Sequence, residues 1–391
     1  MKKRIPFILL LWLLADIYFF NVVHTLTANP LVLFGYWLLD VLLACGVLLA
    51  FFGDLRRRAP QLISWLMAAM LLVFVPKLFA LPVLLLEDLT RLFRGFPPRS
   101  VWVSQLAAGI AAVPFLGLLF GLTRGRHHYV VHRETLYFKD LPAAFDGFTL
   151  TQLSDIHAGS FTSVKGVNKG IDLVNAQNSD LLLFTGDLVN NKASEMEPWI
   201  EDFARLRAPF GKYSVLGNHD YGDYIKWDHA ADKQANLRQL KNTHKEIGFR
   251  LLLDEAVQIE KDGATITLIG VENWGKGGFH KYGDLIKAAQ NVPDNQFKIL
   301  LSHDPSHWEA KTLQHEKRID LTLAGHTHGM QFGIELFGFK WSPVKYVYKQ
   351  WAGLYKRKDK YLYVNRGFGF IGLKGRVGIW PEITVITLKK K

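Results

Sequence analysis

Cysteine is almost missing from this chain. Its 391 residues include one, Cys45, inside an apolar run. An intrachain disulfide and a cysteine-based metal site are therefore excluded, and the usage fits a reducing compartment. Internal repeats are absent, as are low-complexity tracts beyond Lys389–Lys391. Acidic residues are in the minority: 47 Lys and Arg stand against 35 Asp and Glu, a net charge of +12. Such an excess has three usual partners, namely nucleic acid, an anionic membrane face or anionic substrates. Beside a membrane anchor, the second and third are the simpler assumptions.

Residues 1–123 lack charge more than anything else, with ten Lys or Arg and five Asp or Glu. They are mostly Leu, Phe, Val, Ala and Trp. Four stretches reach the length of about 20 apolar residues that a bilayer crossing takes: Ile5–Val23, Leu31–Phe52, Leu62–Leu86 and Val101–Thr123. Lys2, Lys3 and Arg4 before the first give it the look of a secretory signal. Its apolar stretch is long for one, no small-residue cleavage site follows, and three more spans come after it. Positive charge in short loops sets orientation. Lys2–Arg4, Arg56–Arg58, Arg124 and Arg126 fall on one side; Arg91, Arg94 and Arg99 fall on the other, beside Glu87 and Asp88. The expected arrangement is a multi-pass protein of the inner (cytoplasmic) membrane, with its soluble part facing the cytoplasm. Asp16, Asp40 and Lys77 lie within or at the edge of these spans and read as polar contacts between helices, or as snorkelling side chains.

Residues 124–145 read as a connector, and 146–391 as a soluble α/β domain. Here a short apolar run repeatedly gives way to metal-type residues. Phe148–Leu153 leads into Ser154-Asp155-Ile156-His157, and Leu181–Phe184 into Thr185-Gly186-Asp187. Tyr213–Leu216 leads into Gly217-Asn218-His219-Asp220. Lys298–Leu301 is followed by Ser302-His303, and Leu321–Ala324 by Gly325-His326-Thr327-His328. Helical stretches near Ser163–Ala176 and Glu195–Leu206 separate the first three runs. Strand–helix–strand alternation implies a largely parallel sheet with ligand sites at the carboxyl ends of its strands. Five such ends would meet on one rim. Further runs at Leu251–Leu253, Val257–Glu260, Ala264–Leu268, Tyr361–Val364 and Ile383–Leu388 suggest a second sheet.

Carboxylate, imidazole and amide groups without thiolate suit Mn²⁺, Fe, Zn²⁺ or Mg²⁺. Two ions about 3.5–4 Å apart need a ligand that reaches both, and an Asp in a tight turn, such as Asp187, suits that role. The pair turns a bound water into a hydroxide nucleophile and neutralises phosphoryl oxygens. A histidine that is not a ligand then protonates the leaving group.

The order Asp-x-His, Gly-Asp, Gly-Asn-His-Asp, a lone His and Gly-His-Thr-His resembles the calcineurin-like metallophosphoesterase superfamily over about Phe148 to Leu388. The resemblance implies a two-sheet α/β sandwich behind the four-helix transmembrane unit. It places Asp155, His157, Asp187 and His328 on a first metal. A second would be held by Asp187 as bridge with Asn218, His303 and His326. Two divalent ions follow, with Mn²⁺ the first choice. His219 becomes the residue that contacts phosphate and protonates the leaving group, and Asp220 the one that orients it. The form Asp155-Ile156-His157 and the tail Tyr363-Val364-Asn365-Arg366-Gly367-Phe368-Gly369, Arg376 and Pro381-Glu382-Ile383 are similar to membrane-anchored bacterial phosphoesterases of the YkuE/YaeI type. Some of these hydrolyse the lipid-sugar pyrophosphate UDP-diacylglucosamine.

Lys340–Lys360 interleaves Trp341, Tyr346, Tyr348, Trp351 and Tyr355 with five basic residues between Lys345 and Lys358. A bilayer interface or an amphipathic phosphorylated substrate suits it better than nucleic acid, which is not expected as a partner. His307 and His315 fit no motif position and read as surface or helix residues. His127, His128 and His132 read as headgroup contacts. The expected activity is hydrolysis of a phosphoester or pyrophosphate at the membrane. The alternatives are a tethered phosphodiesterase or nuclease for soluble nucleotides or nucleic acid, and a non-catalytic scaffold. The scaffold is disfavoured because every expected ligand is retained.

Overall fold

Period-two alternation of buried side chains determines the architecture from Val130 onward. The computed structural model describes residues 5–52, 60–278 and 280–391. Contacts divide it into two units: one runs through Thr123 and includes Gly372–Lys374, and the other holds Arg124–Ile371 and Gly375–Lys391.

The first unit has four apolar helices among the described residues: α1 (Ile5–Leu26), α2 (Pro30–Phe52), α3 (Pro60–Leu92) and α4 (Val101–Thr123). Three of them are long and apolar enough to cross a membrane, within Pro30–Ala50, Leu62–Leu92 and Val101–Thr123; the described apolar part of α1, Leu10–Leu26, is shorter. Lys77 on α3 joins Asp16 on α1 and lies 3.4 Å from Asp40 on α2, all three buried. These residues are helix-to-helix contacts, in a setting where an unpaired charge is costly. Arg99 pairs with Glu87 and Asp88, both at 2.8 Å, and Arg91 pairs with Asp88. Two of the three arginines that argue against the expected orientation thus have their charge cancelled locally. Lys2–Arg4 and Arg56–Arg58, on which that orientation largely rests, lie outside the described residues.

The second unit begins with β1 (Val130–Phe138), β2 (Thr149–Leu153), helix α5 (Val164–Asn175), β3 (Leu181–Phe184), α6 (Ile200–Ala204), β4 (Lys212–Ser214), α7 (Ala230–Glu246) and β5 (Arg250–Leu251). It continues with β6 (Glu255–Lys261), β7 (Ala264–Gly270), α8 (Leu285–Ala289), β8 (Lys298–Leu301), α9 (Ser306–Ala310) and β9 (Leu321–Ala324). A hairpin of β10 (Ile334–Leu336) and β11 (Phe339–Trp341) follows, then β12 (Gly353–Arg357), β13 (Lys360–Val364) and β14 (Glu382–Lys390). One six-stranded sheet has the order β1-β14-β2-β3-β4-β5, and the other β12-β13-β9-β8-β7-β6. Leu181 and Leu183 point into the core between the sheets, with Ile299, Leu301, Leu321 and Leu323 opposite. Leu182 and Phe184 point outward under Val167, Ile171 and Phe203. On the far face of the other sheet, Ile269 and Leu300 are covered by Leu285, Ala288 and Ala289. The layers therefore run helix, sheet, sheet, helix.

Several expectations change. The five motif strands do not share a sheet: β2, β3 and β4 pair in parallel in one, β8 and β9 in the other. Of the runs assigned to a second sheet, β5 and β14 belong with β2–β4. The connector contains the nine-residue strand β1, paired in parallel along its whole length with β14. Its mixed polar composition hid it, because only Leu136 and Phe138 are buried. The helix expected near Glu195–Leu206 is a 3₁₀ stretch, Ala193–Trp199, followed by the short α6. Pro198 lacks the N–H for a continuous α-ladder and crowds the turn before it. His307 lies on α9, in keeping with the helix half of its reading, but is buried against Ser302 Oγ at 2.8 Å and is not a surface residue. His127 packs into the domain, on the Cα of Gly166 and against the Phe370 ring.

A buried ion pair ties the end of β13 to the start of β14. Glu382 accepts from Arg366 N (3.0 Å), Arg366 Nη1 (2.6 Å), Tyr363 Oη (2.6 Å) and Thr384 Oγ1 (2.6 Å). Burial would raise its carboxyl, but Arg366 outweighs that and holds it at about 2, against the ordinary 4.5. A depressed carboxylate contributes stability that is full above about pH 4.5 and drains as the pH falls through about 2. Arg366→Met leaves the carboxylate buried without its cation, at a cost of about 3–5 kcal/mol. Chemical unfolding at neutral pH should show that loss, and the variant's acid limb between pH 4.5 and 2 should be shallower than that of wild type. A variant as stable as wild type would contradict this account.

Candidate metal centre

Strand ends deliver the polar side chains, and close loop packing aims them. Asp155 N donates to Gly186 O (2.9 Å), and Ile156 N and His157 N both donate to Asp187 O (2.9 and 3.1 Å), so the turns after β2 and β3 are zipped together. Gly186 has φ +98°, and a Cβ there would meet Gly217 N at 2.5 Å. A Cβ on Gly325 would lie 1.8 Å from Ser154 Oγ and 2.3 Å from Asp155 Oδ2. Glycine precedes the polar residue in these motifs because loops from different strands touch at that point. Asp155, His157, Asp187, His326 and His328 all adopt positive φ, from 50° to 72°. Each such residue costs on the order of 1–3 kcal/mol and persists where its surroundings over-determine it.

Two groups form. In the first, His157 Nε2 lies 3.0 Å from His328 Nε2, which is 3.2 Å from Asp155 Oδ1. In the second, Asn218 Oδ1 faces His303 Nε2 at 3.0 Å and His326 Nδ1 at 2.8 Å, and those two nitrogens are 3.2 Å apart. Asp187 stands between them. Its Oδ1 accepts from His219 N (2.8 Å), while Oδ2 lies 3.5 Å from His157 Nε2 and 3.2 Å from His303 Nε2. All seven residues expected to hold metal thus lie together: Asp155, His157 and His328 form one candidate group and Asp187, His303 and His326 the other, with Asn218 Oδ1 on the last two imidazoles.

Outer contacts fix the ring orientations. His303 Nδ1 donates to Thr185 O (2.8 Å), which turns Nε2 inward toward Asp187 and Asn218. His326 turns Nδ1 inward, and its Nε2 lies 2.8 Å from Tyr348 Oη. Arg376, fully buried, sets Nη2 3.2 Å from His328 Nδ1. Burial holds His157 and His326 below the ordinary imidazole range. For Asp155 burial acts upward, yet His328 and His303 hold its carboxyl well below the usual range; Asp187 is lowered in the same way by His303 and His219. For His303 burial acts downward, but the Asp187 and Asp155 carboxylates push it up to about 10. Ionised carboxylates and neutral imidazoles are the protonation states that divalent ions require, and the proton held on His303 marks where positive charge is favoured. The oxygen and nitrogen donor set fits two hard-to-borderline divalent ions.

His219 stands outside both groups. Its Nδ1 donates to Asn190 O (2.8 Å), its ring lies edge-on to His157 at 5.0 Å, and Tyr224 covers it at 4.5 Å. Asp220 does not orient it. That carboxylate accepts from the backbone N–H of Gly217 (2.8 Å), Asp187 (2.9 Å), Leu188 (2.8 Å) and Val189 (3.3 Å), and so clamps the turns after β3 and β4. The carbonyl of Asn190 takes the orienting role, which no side-chain pattern could reveal. Tyr224 and Asp304 also escaped the sequence reading, and Tyr348 was read only as one ring of the aromatic and basic segment. Tyr224 Oη accepts from Asn218 Nδ2 (2.8 Å), and Asp304 Oδ2 lies 3.4 Å from Tyr348 Oη. Asp304 follows His303 directly, and that adjacency was its one available signal.

Comparison with known proteins agrees with this geometry. Residues 148–330 match the family model described as calcineurin-like phosphoesterase, and residues 3–126 the one described as "Probable Calcineurin-like phosphoesterase, transmembrane domain". The uncharacterized metallophosphoesterase YkuE of Bacillus subtilis is 31% identical over 267 residues, covering 67% of this chain and 86% of that one. Phosphodiesterase YaeI of Escherichia coli is 27% identical over 302 residues, covering 74% and 98%. A transmembrane protein with metallophosphoesterase domain from Danio rerio is 28% identical, covering 70% and 60%. The chain belongs to the calcineurin-like phosphoesterases. It is a metallophosphoesterase that carries a transmembrane domain, in a family whose members use a dinuclear metal site.

Asp187→Asn keeps the size of the side chain but removes the charge shared by both groups. Metal content by elemental analysis and turnover of a model ester should then fall together. His219→Ala should keep its metal, while turnover drops ~10²–10⁴-fold, the range for a lost general acid. Undiminished hydrolysis in the first variant, or metal loss in the second, would overturn these roles.

Proposed function

We propose that the chain hydrolyses a phosphoester or pyrophosphate bond of an amphipathic, lipid-linked substrate, of the UDP-diacylglucosamine type by analogy, at the cytoplasmic face of the membrane. Asp155, His157, Asp187 and His328 would hold one ion, and Asp187, Asn218, His303 and His326 the other, with Mn²⁺ the preferred occupant. When bound, the ions supply an activated water and neutralise charge on the phosphoryl group. The chain's own part is positional. Asp187 Oδ2 sets the two groups at a fixed separation, and His219 Nε2 is left free by the Nδ1–Asn190 bond to donate a proton to the leaving oxygen.

The observation that carries the lipid reading is an exposed apolar hairpin close to these residues in the chain. Ile334, Leu336, Phe337 and Phe339 on β10–β11 all face solvent, Phe337 at 97% exposure, and Tyr346 and Val347 are exposed beside Lys345 and Lys349. Patches of this kind mark interaction with membranes, ligands or partners. The hairpin is tied back to the domain through Glu335, whose carboxylate takes Arg366 Nη2 at 2.6 Å and Nε at 3.0 Å. Tyr348 from the following segment reaches His326 itself. Of the aromatic residues first expected at a bilayer interface, Tyr346 is exposed, while others are used within the domain. Trp351 is buried with Val344, Ala352 and Ile379, and Tyr355 Oη accepts from Trp351 N at 3.0 Å.

A Phe337→Ser/Phe339→Ser variant tests the reading. Each buried phenyl ring is worth about 1.5–3 kcal/mol, so hydrolysis of a lipid-linked phosphoester in mixed micelles should fall at least tenfold, while 4-nitrophenyl esters in solution are still hydrolysed at the wild-type rate. Equal behaviour on both substrates would return the reading to a phosphodiesterase for soluble esters.

A further inference from the structure

Beside the metal-facing residue Asn218 lies a cavity of about 390 Å³, lined by Asn218, Asp223, Tyr224, Asn273, Gly278 and His280. Its wall is a closed loop. Tyr282 N and Gly283 N both donate to Asn273 O (2.8 and 3.1 Å), which pins the two ends, and Asn273 Nδ2 donates to His280 O (3.2 Å) across it. The other half of that amide has no such use. Asn273 is 1% exposed, and its Oδ1 has no hydrogen-bond partner among the described residues. A buried acceptor left unpaired costs roughly 1–3 kcal/mol, a cost relieved when a ligand donates to it. The chemistry of the remaining wall narrows that ligand. Among the described residues Asp223 is the one carboxylate lining the cavity, and both of its oxygens are occupied, by Lys233 and by Tyr282 Oη at 2.9 Å. A cationic group would thus find no free anion. Tyr224 Oη accepts from Asn218 Nδ2 and keeps its own proton for a ligand oxygen.

Resting on the phosphoesterase reading above, we propose that this cavity is the subsite for the polar group attached to the scissile phosphate, and that it takes an uncharged hydroxyl- or N–H-bearing group through Asn273 Oδ1 and Tyr224 Oη. A polyol and a nucleoside both offer that chemistry. The shared Asn218 sets phosphate and polar group side by side: its Oδ1 faces His303 and His326, and its Nδ2 faces the cavity's Tyr224.

The test is equilibrium binding to the full-length, detergent-solubilised, Mn²⁺-loaded protein, with inorganic phosphate, glycerol 3-phosphate and uridine 5′-monophosphate as probes. One of the two esters should bind about tenfold more tightly than inorganic phosphate, the gain of one satisfied buried acceptor, and which one does so identifies polyol or nucleoside. Asn273→Leu should abolish that advantage. Because Asn273 also braces the loop, Gly278→Leu is the second variant. Gly278 lines the cavity, lies outside the left-handed region, and a Cβ there meets nothing within 4 Å, so the larger side chain adds bulk at the cavity's edge without a backbone clash. Loss of the advantage in both variants, with affinity for inorganic phosphate retained, supports the subsite. Equal affinity for all three probes in wild type, or an advantage that survives both variants, overturns it and leaves the phosphoesterase reading intact. Failure of every probe to bind would overturn both.

Discussion

One carboxylate holds this site together. Asp187 offers each of its polar atoms to a different part of the domain. Its carbonyl takes two amides from the turn after β2, its N–H goes to Asp220, Oδ1 takes the amide of His219, and Oδ2 lies between His157 and His303. The strands that bring these partners belong to two sheets, so the residue joins both halves of the sandwich at one edge. It is buried, and it is held ionised by the imidazoles around it. The positive φ values clustered nearby become intelligible in this light. Turns that bring donors from five strand ends within about 3 Å of one another cannot all follow relaxed backbone paths.

Much of this was legible in the sequence because each motif couples a strand end to a polar side chain. Asp155, His157, Asp187, Asn218, His303, His326 and His328 announce themselves by residue type and by the apolar runs that precede them. The assignment of strands to sheets was not legible, since a four-residue buried run such as Leu321–Ala324 reads the same in either sheet. Strand β1 was hidden for a related reason. It buries few side chains, and its pairing with β14 depends on a stretch far away in sequence. The role of Asp220 went wrong at the level of hydrogen bonding. Standing next to His219 in sequence, it turns to four backbone amides, and a carbonyl takes the place expected for it. In the aromatic and basic segment, composition correctly marked an amphipathic region but not which rings face outward. Trp351 fills a small core with Val344, Ala352 and Ile379, while Tyr346 within the segment and Phe337 and Phe339 just before it are exposed.

The domain uses charge in two different ways. Near Glu382 and Arg366 opposite charges are matched and every acceptor is occupied, so the cluster serves cohesion. Around Asp155 and Asp187 the carboxylates face imidazoles and, among the described residues, not a guanidinium or ammonium group, and the balance is completed by whatever cation the centre takes. Arg366 also reaches Glu335 on the exposed hairpin, so an element that stabilises the fold also anchors that hairpin.

The pairing of β1 with β14 bears on how the chain is made. Val130 opposes Glu382 and Phe138 opposes Lys390, a separation of roughly 250 residues. At the pace of synthesis, about 5–20 residues per second, β1 waits about 12–50 s for the strand that covers its edge. The apolar helices precede β1, so their entry into the bilayer is under way long before that sheet can close. Until then the growing domain carries an unpaired strand edge, the kind of surface on which chains associate wrongly. The run of polar residues in β1, His132, Arg133 and Glu134 among them, keeps that waiting edge soluble. The composition that made β1 hard to recognise as a strand is thus the composition a strand needs when its partner arrives last.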